Sequence, residues 1–159
     1  MTSRNHLIFL YRKSRIAYGS TTMRAHQLSQ CVAPHLPETN VRLQAFSRHE
    51  LFQTLWARMV PHGSTIFATK GVVRILCAEA VHILHKRGCT VLADVVDLPN
   101  EELPGPELGV DCLISPSFSG VARLQAHVDA HWGGGARPLV SPLLHNADQR
   151  LYGRKIRSL

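Results

Sequence analysis

Two aspartates near the end of a long apolar run have the chemistry of a general base. Asp94 and Asp97 lie within residues 93–99 (ADVVDLP). Strand alternation would point them to opposite faces, so they do not form a carboxylate pair. Asp97, at the predicted strand end, is the better candidate for a catalytic base or for holding a substrate hydroxyl. It also fits a simple cap of the following loop, and Asp94, among apolar neighbours, must find polar partners.

A polar segment nearer the amino terminus could bind an anion. Its predicted substrate-binding residues are Arg15, Gly19, Ser20, Thr21 and Arg24, and its second half opens a predicted helix. Free backbone N–H groups and the helix dipole at such a position attract an anion or a carbonyl. The same residues also fit an ordinary threonine N-cap flanked by solvated arginines.

Three familiar nucleotide and hydrolase motifs do not occur in the sequence. The segment after the first strand has only Gly19 where a dinucleotide-binding loop has G-x-G-x-x-G, and there is no G-x-x-x-x-G-K-[ST] loop. Residues 117–120 (SFSG) lack the first glycine of a G-x-S-x-G elbow. A Rossmann dehydrogenase, a P-loop NTPase and a serine hydrolase of that type are therefore disfavoured.

Two histidine pairs have a spacing that places both members on one helix face. They are His82 with His85 and His127 with His131. Neither pair belongs to an H-E-x-x-H motif or has a third ligand at a diagnostic spacing. We therefore predict surface histidines and no metal site.

Length and composition indicate one folded domain. The chain has 159 residues, of which 45% are hydrophobic and 18% charged, which disfavours disorder, collagen and coiled coil. No stretch reaches the ~20 apolar residues of a membrane span, and residues 6–11 are too short for a signal-peptide core. The four cysteines form no C-x-x-C pair and lie in apolar segments. A cytoplasmic location is expected.

The net charge of +7 is concentrated at the two ends of the chain. Residues 1–60 hold eight Lys and Arg against two acids, residues 61–136 hold five against eight, and residues 137–159 hold five against one. Such ends favour anionic partners, including the inner face of a membrane. Nucleic acid is the weaker expectation, because the arginines are scattered and aromatic residues make up only 6% of the chain.

Strand and helix patterns alternate along the chain. Predicted strands cover residues 6–12, 41–46, 64–69, 89–96, 111–115 and 138–144, and predicted helices cover residues 23–36, 48–60, 72–86 and 121–132. The second helix has a broad apolar face made of Leu51, Phe52, Leu55, Trp56, Met59 and Val60. This order predicts an α/β fold with a doubly wound, mostly parallel sheet. A single Rossmann-like domain would span residues 1–145, with 146–159 as a basic C-terminal tail or the start of an interlobe linker.

In such a fold, ligands bind outside the carboxyl ends of the strands. The segments predicted to form that edge are residues 13–22, Ser47 and residues 70–71, 97–100, 115–120 and 144–148. Function is expected there.

Four segments together resemble a known family. Residues 23–28 (MRAHQL) follow a polar loop with one glycine, and residues 64–97 contain a strand, a helix, a Lys-Arg-Gly turn and a strand ending in an acid. Residues 111–117 (DCLISPS) form a serine-bearing strand end, and residues 142–148 (PLLHNAD) are similar to an interlobe strand. This series resembles the N-terminal lobe of two-lobed GT-B glycosyltransferases, in particular retaining enzymes that use nucleotide sugars on bacterial polysaccharides.

The resemblance implies an acceptor-side lobe for a glycan or lipid-linked acceptor. Asp97 would contact the acceptor or the donor sugar, Gly19 would lie near the reaction centre, and Arg15 and Arg24 near phosphate-bearing groups. No covalently bound cofactor is implied, and a nucleotide-sugar donor is expected only with a second lobe or subunit. Residues 1–159 alone are expected not to transfer sugar, whether they form a fragment, a degenerate paralogue or half of a two-chain enzyme. The alternatives are a non-catalytic binding or partner-interaction module, and an anion or nucleic-acid binder with strongly salt-dependent affinity.

Overall fold

The computed structural model describes residues 5–12 and 20–143, and for residues 20–23 it describes the backbone alone. The elements are β1 (Asn5–Arg12), α1 (Ser20–Val32), β2 (Thr39–Phe46), α2 (Glu50–Met59), β3 (Thr65–Ala68), α3 (Lys70–Val73), α4 (Ala78–Lys86), β4 (Thr90–Asp94), β5 (Cys112–Ser115), α5 (Phe118–His131) and β6 (Leu139–Pro142). The predicted tail, residues 146–159, lies outside the described residues.

The six strands form one parallel sheet in the order β2-β1-β3-β4-β5-β6. Every neighbouring pair runs parallel. Consecutive parallel strands must be joined by crossover connections. Helices form all of these connections except the one between β4 and β5, which is a loop with a 3-10 turn at Asn100–Glu102. The prediction of a doubly wound α/β domain is confirmed.

The helices bury two separate cores against the two faces of the sheet. On one face, Ala25 of α1 packs with Phe9 and Phe67. On the other face, residues of α2, α4 and α5 enclose a larger core that includes Leu84 and Leu124. Within the described residues, no helix combines the length and apolar character required to cross a membrane.

The prediction of one helix over residues 72–86 is wrong, because the structure has two helices there. α3 ends at Val73, and α4 begins at Ala78 after Cys77 takes an extended conformation with ψ 144°. The buried side chain of Gln53 replaces the helical hydrogen bonds that this break removes. Its Nε2 donates to the carbonyl of Ile75 at 2.7 Å, and its Oε1 accepts from the backbone N–H of Cys77 at 2.8 Å.

α2 buries a different face from the one with the largest side chains. Its buried residues are Gln53 and Ala57, while Trp56 is half-buried against Phe46 in an edge-on contact with ring centroids 5.2 Å apart. The other large apolar residues, Leu51, Phe52, Leu55 and Met59, are exposed. An apolar helix face ordinarily packs on the sheet, but here the inward position is occupied by Gln53, which bonds the helix to the α3–α4 connection.

The four cysteines are free and differ in exposure. Cys31 is exposed, Cys77 is intermediate, and Cys89 and Cys112 are buried. Burial raises the pKa of the Cys89 thiol above its ordinary value of 9.0. Burial and the neighbouring Asp111 carboxylate raise the pKa of Cys112 in the same direction. Both buried thiols therefore stay protonated at neutral pH.

Alkylation of the folded protein with iodoacetamide is expected to modify Cys31 first and to leave Cys89 and Cys112 unmodified until the chain unfolds. Because both buried thiols have raised pKa values, their contribution to stability is complete below pH 9.0 and is lost as the pH rises above it. Mass-spectrometric mapping and urea unfolding across that pH would measure both effects. Equal labelling of Cys31 and Cys112 would contradict the prediction.

Candidate functional site

The carboxyl ends of β1 and β3 lie side by side at the point where the winding of the sheet reverses. From β1 the chain passes through α1 to β2 on one side, and from β3 it passes through α3 and α4 to β4 on the other. Connections that leave in opposite directions open a crevice, the usual ligand position in open α/β sheets. Thr69 joins the two strand ends, since its Oγ1 donates to the carbonyl of Leu10 at 2.9 Å.

A buried ion pair underlies this edge. Asp94, the last residue of β4, is 0% exposed, and Arg24 of α1 is 9% exposed. The Arg24 Nη2 donates to Asp94 Oδ1 at 2.9 Å, and its Nε contacts Oδ2 of the same carboxylate. Such two-point pairing is the strong form of an arginine–carboxylate contact. Asp94 therefore has the polar partner that its apolar surroundings required.

Asp97 lies beyond the strand, because β4 ends at Asp94 and not at Val96 as predicted. It occupies a turn with φ 53°, so strand alternation does not set its direction. Its side chain is 77% exposed, and its Oδ2 lies 3.6 Å from the Nζ of Lys70. Among the described residues, the Asp97 carboxylate makes no hydrogen bond to the loop after it and pairs instead with Lys70.

The start of α5 comes very close to the end of β5. A Cβ placed on Gly120 would lie 1.9 Å from the Oγ of Ser115, far below contact distance, so a larger residue here would have to displace the Ser115 side chain. Ser117 caps the helix by accepting from the backbone N–H of Gly120 at 3.1 Å. This close approach holds two serines at the carboxyl edge.

An open groove of about 470 Å³ is lined by two segments, one that follows Lys70 in the chain and one that follows Asp97. Its lining includes Leu76, Leu103, Glu101, Glu102 and Glu107. This volume is within the ~300–1,000 Å³ of small-molecule sites. The groove combines apolar walls with carboxylates, which accept hydrogen bonds and repel anions.

Among the carboxylates of the groove, one has a partner of opposite charge. The Nε of Arg74 lies 2.5 Å from the Oε2 of Glu102. Glu101 and Glu107 are exposed and make no ion pair with any residue from 5–12 or 20–143. Their carboxylates are therefore available to a ligand.

The residues predicted to bind substrate fall into three groups. Arg15 and Gly19 lie outside the described residues. Ser20 and Thr21 lie in the first turn of α1, where the structure describes the backbone only. Arg24 lies in the same helix, and its guanidinium is held by Asp94. Substrate binding by all five residues stays a prediction, and Arg24 in addition forms the buried ion pair with Asp94.

Sequence reasoning did not select Lys70, Glu101 or Glu107 as site residues. Lys70 lay in a segment predicted to form the edge of the sheet, and its position directly after a strand was the available signal. The glutamates lay in what was interpreted as a solvated loop. Only the folding of that loop against the α3–α4 connection places them in a groove.

The histidine pairs have separate local partners. His85 Nε2 lies 3.0 Å from Asp111 Oδ2, and the rings of His127 and His131 are in contact, with centroids 4.3 Å apart and planes tilted by 35°. In the described part of the chain, no cluster of three or more His, Cys, Asp or Glu residues could hold a metal ion.

Comparisons with protein-family models, with curated proteins and with solved structures gave no match to this chain. The fold and the site together define an α/β domain with polar residues at the carboxyl edge of its sheet and an acidic groove.

Proposed function

We propose that this chain is the acceptor-side lobe of a glycosyltransferase, and that it binds a neutral, hydroxyl-rich saccharide at the carboxyl edge of its sheet. The observation that carries this proposal is the acidic groove, whose two lining segments follow Lys70 and Asp97 in the chain. Sugar hydroxyls donate hydrogen bonds, and carboxylates are strong acceptors for them. The apolar walls suit the C–H faces of a sugar ring.

The charges of the groove favour an acceptor sugar over a nucleotide diphosphate. Three glutamates line it against one arginine, so an anionic ligand would be repelled. The nucleotide sugar is therefore assigned to a second lobe or subunit. Asp97, exposed in the turn after β4, would accept a hydrogen bond from an acceptor hydroxyl. In the cytoplasm, basic ends would hold the lobe near an anionic membrane surface carrying a lipid-linked acceptor.

Calorimetric titration of the full chain with a panel of neutral oligosaccharides, and separately with UDP-glucose, tests the proposal. We expect saccharide binding that hardly changes with salt. Replacing Asp97 by Asn, or Glu101 and Glu107 together by Gln, should weaken it about tenfold or more, because a hydrogen bond to a charged group contributes ~1.5–3 kcal/mol. Glu38→Gln is the matched control, since Glu38 is exposed before β2 and does not line the groove.

Two outcomes would overturn the proposal. Tight binding of UDP-glucose or of nucleic acid, with affinity that falls steeply with salt, would make the chain an anion binder. Absence of saccharide binding would favour the non-catalytic binding or interaction module. This second candidate is supported by the buried Arg24–Asp94 pair. Both charged residues lie near the carboxyl edge of the sheet, and their pairing stabilises the fold.

A further inference from the structure

One wall of the acidic groove is the short connection between α3 and α4. Val73, Arg74, Leu76 and Ala78 line the groove from this side. The connection interrupts the helix, and Cys77, the N-cap residue of α4, supplies no side-chain cap. Backbone polar groups at such a break need partners from elsewhere in the fold.

The side chain of Gln53 supplies these partners without lining the groove itself. It is 1% exposed, and its amide bonds to the carbonyl of Ile75 and to the backbone N–H of Cys77. Those two residues flank Leu76, whose side chain belongs to the groove lining. The second N–H of the amide donates to the carbonyl of Ser47, so both of its donors are used. A residue outside the groove therefore holds the backbone on both sides of a lining residue.

The second wall of the groove, residues 101–108, is joined to the first by an ion pair. The Nε of Arg74 contacts the Oε2 of Glu102, and both residues line the groove. Arg74 directly precedes Ile75, the residue whose carbonyl is held by Gln53. Support for the second wall therefore passes from Gln53 through the α3–α4 connection to the Arg74–Glu102 pair.

Helix α5 anchors the second wall from the other side. The Nε2 of His127 lies 3.1 Å from the carbonyl oxygen of Pro104. Within the wall, the backbone N–H groups of Leu103 and Leu108 bond to carbonyls three residues earlier, each at 3.2 Å. Protection of these two amides against exchange reports how firmly the wall is held. Because the α5 anchor remains, loss of the support from Gln53 should loosen this wall and not unfold it.

We infer that Gln53 is a positioning residue for the groove, which fixes the spacing of the two walls and thereby the affinity for a ligand that it does not contact. A binding site keeps its affinity only when residues behind its lining hold that lining in the productive geometry. The effect on affinity rests on the proposed saccharide function, whereas the effect on the walls does not.

Amide hydrogen exchange of the full chain, followed by NMR, tests the coupling of the walls without any ligand. Gln53→Met keeps the side-chain volume and removes the three hydrogen bonds. We expect it to lower protection at Cys77, which Gln53 contacts, and also at Leu103 and Leu108, which belong to the second wall. Phe9→Leu is the control, because Phe9 is buried in the core on the other face of the sheet. It destabilises the chain and should leave protection at Leu103 and Leu108, relative to the amides of β4, as in the wild type.

Arg74→Gln identifies the route of the coupling. It removes the partner of Glu102 and should lower protection at Leu103 and Leu108 while the Cys77 amide stays protected. The variant carrying both Arg74→Gln and Gln53→Met should lose no more protection in the second wall than Gln53→Met alone, since both changes act on one path. Unchanged protection of the second wall in Gln53→Met, or additive losses in the double variant, would overturn the inference.

Calorimetric saccharide titration measures the consequence for binding, at a temperature at which circular dichroism shows every variant folded. Gln53→Met should weaken binding roughly five- to tenfold, and Phe9→Leu less than about twofold, as expected for a change that acts on a site without touching the ligand. Gln53→Asn, one methylene shorter, is a second variant that should give the same pattern if Gln53→Met does not fold. A wild type that binds no saccharide would overturn the proposed function and leave the exchange result to decide the positioning role. A wild type that binds no better than folded Gln53→Met would overturn the positioning role alone.

Discussion

Replacing Asp94 by asparagine is expected to lower the free energy of unfolding by about 3–5 kcal/mol, because it leaves the buried Arg24 guanidinium without this carboxylate. Asp94 is fully buried and Arg24 nearly so, and the contact uses both carboxylate oxygens. Arg24→Met should have an effect of similar size, since it leaves the carboxylate charge in the same apolar surroundings. Urea unfolding at equilibrium measures both changes.

The matched control for Asp94 is an exposed ion pair of the same type. Arg137 Nη1 lies 3.1 Å from Asp129 Oδ1, with the two side chains 50 and 56% exposed. Asp129→Asn should change stability by less than about 1 kcal/mol, as surface pairs do. The double change Arg24→Met with Asp94→Leu should recover much of the loss of either single change. Equal effects of Asp94→Asn and Asp129→Asn would show that the buried pair does not stabilise the fold.

Replacing Gln53 by alanine is expected to destabilise the protein by about 3 kcal/mol, because three backbone groups lose their partner. Besides its bonds to Ile75 and Cys77, Gln53 donates to the carbonyl of Ser47 at 3.0 Å. Gln53→Glu should be similarly harmful, since a carboxylate accepts from Cys77 but cannot donate to the two carbonyls. Urea unfolding gives the energy, and hydrogen exchange should show lost protection of the Cys77 amide.

Gln125 provides the control for the Gln53 prediction. It is an exposed glutamine whose Nε2 donates to Asp129 at 3.2 Å, and Gln125→Ala should change stability by about 0.5 kcal/mol or less. If Gln53→Ala were as mild, or if the Cys77 amide stayed protected, the hydrogen bonds of Gln53 would not hold α2 to the α3–α4 connection.

Local patterns were sufficient to predict the layers of this fold. Strand and helix signals alternated, and parallel strands follow from that order because each crossover needs a helix or a long loop. The patterns failed where a side chain from elsewhere replaced local hydrogen bonds. Gln53 breaks the predicted helix at residues 74–77, and nothing in the local sequence of that helix indicates the break.

The candidate site shows the same division between local and distant causes. Asp97 was identified because it follows an apolar strand, and the structure places it in the turn after β4. Lys70, the partner of Asp97, lies in the connection between β3 and β4, whereas Asp97 lies in the connection between β4 and β5. The groove is likewise lined by two segments that are about 25 residues apart in the chain. Sequence spacing does not encode such distances, since they arise when β3 and β4 pair in register.

By itself the sequence determined a one-domain, doubly wound parallel sheet, because hydrophobic periodicity and turn residues act over a few residues. Tertiary structure alone decided which polar residues are buried and which apolar ones are not. Arg24 meets Asp94 across 70 positions of the chain, and Gln53 takes the inward side of α2 while Leu55 faces outward. Composition cannot predict these outcomes, because a buried polar group is stable only where the fold supplies its partners.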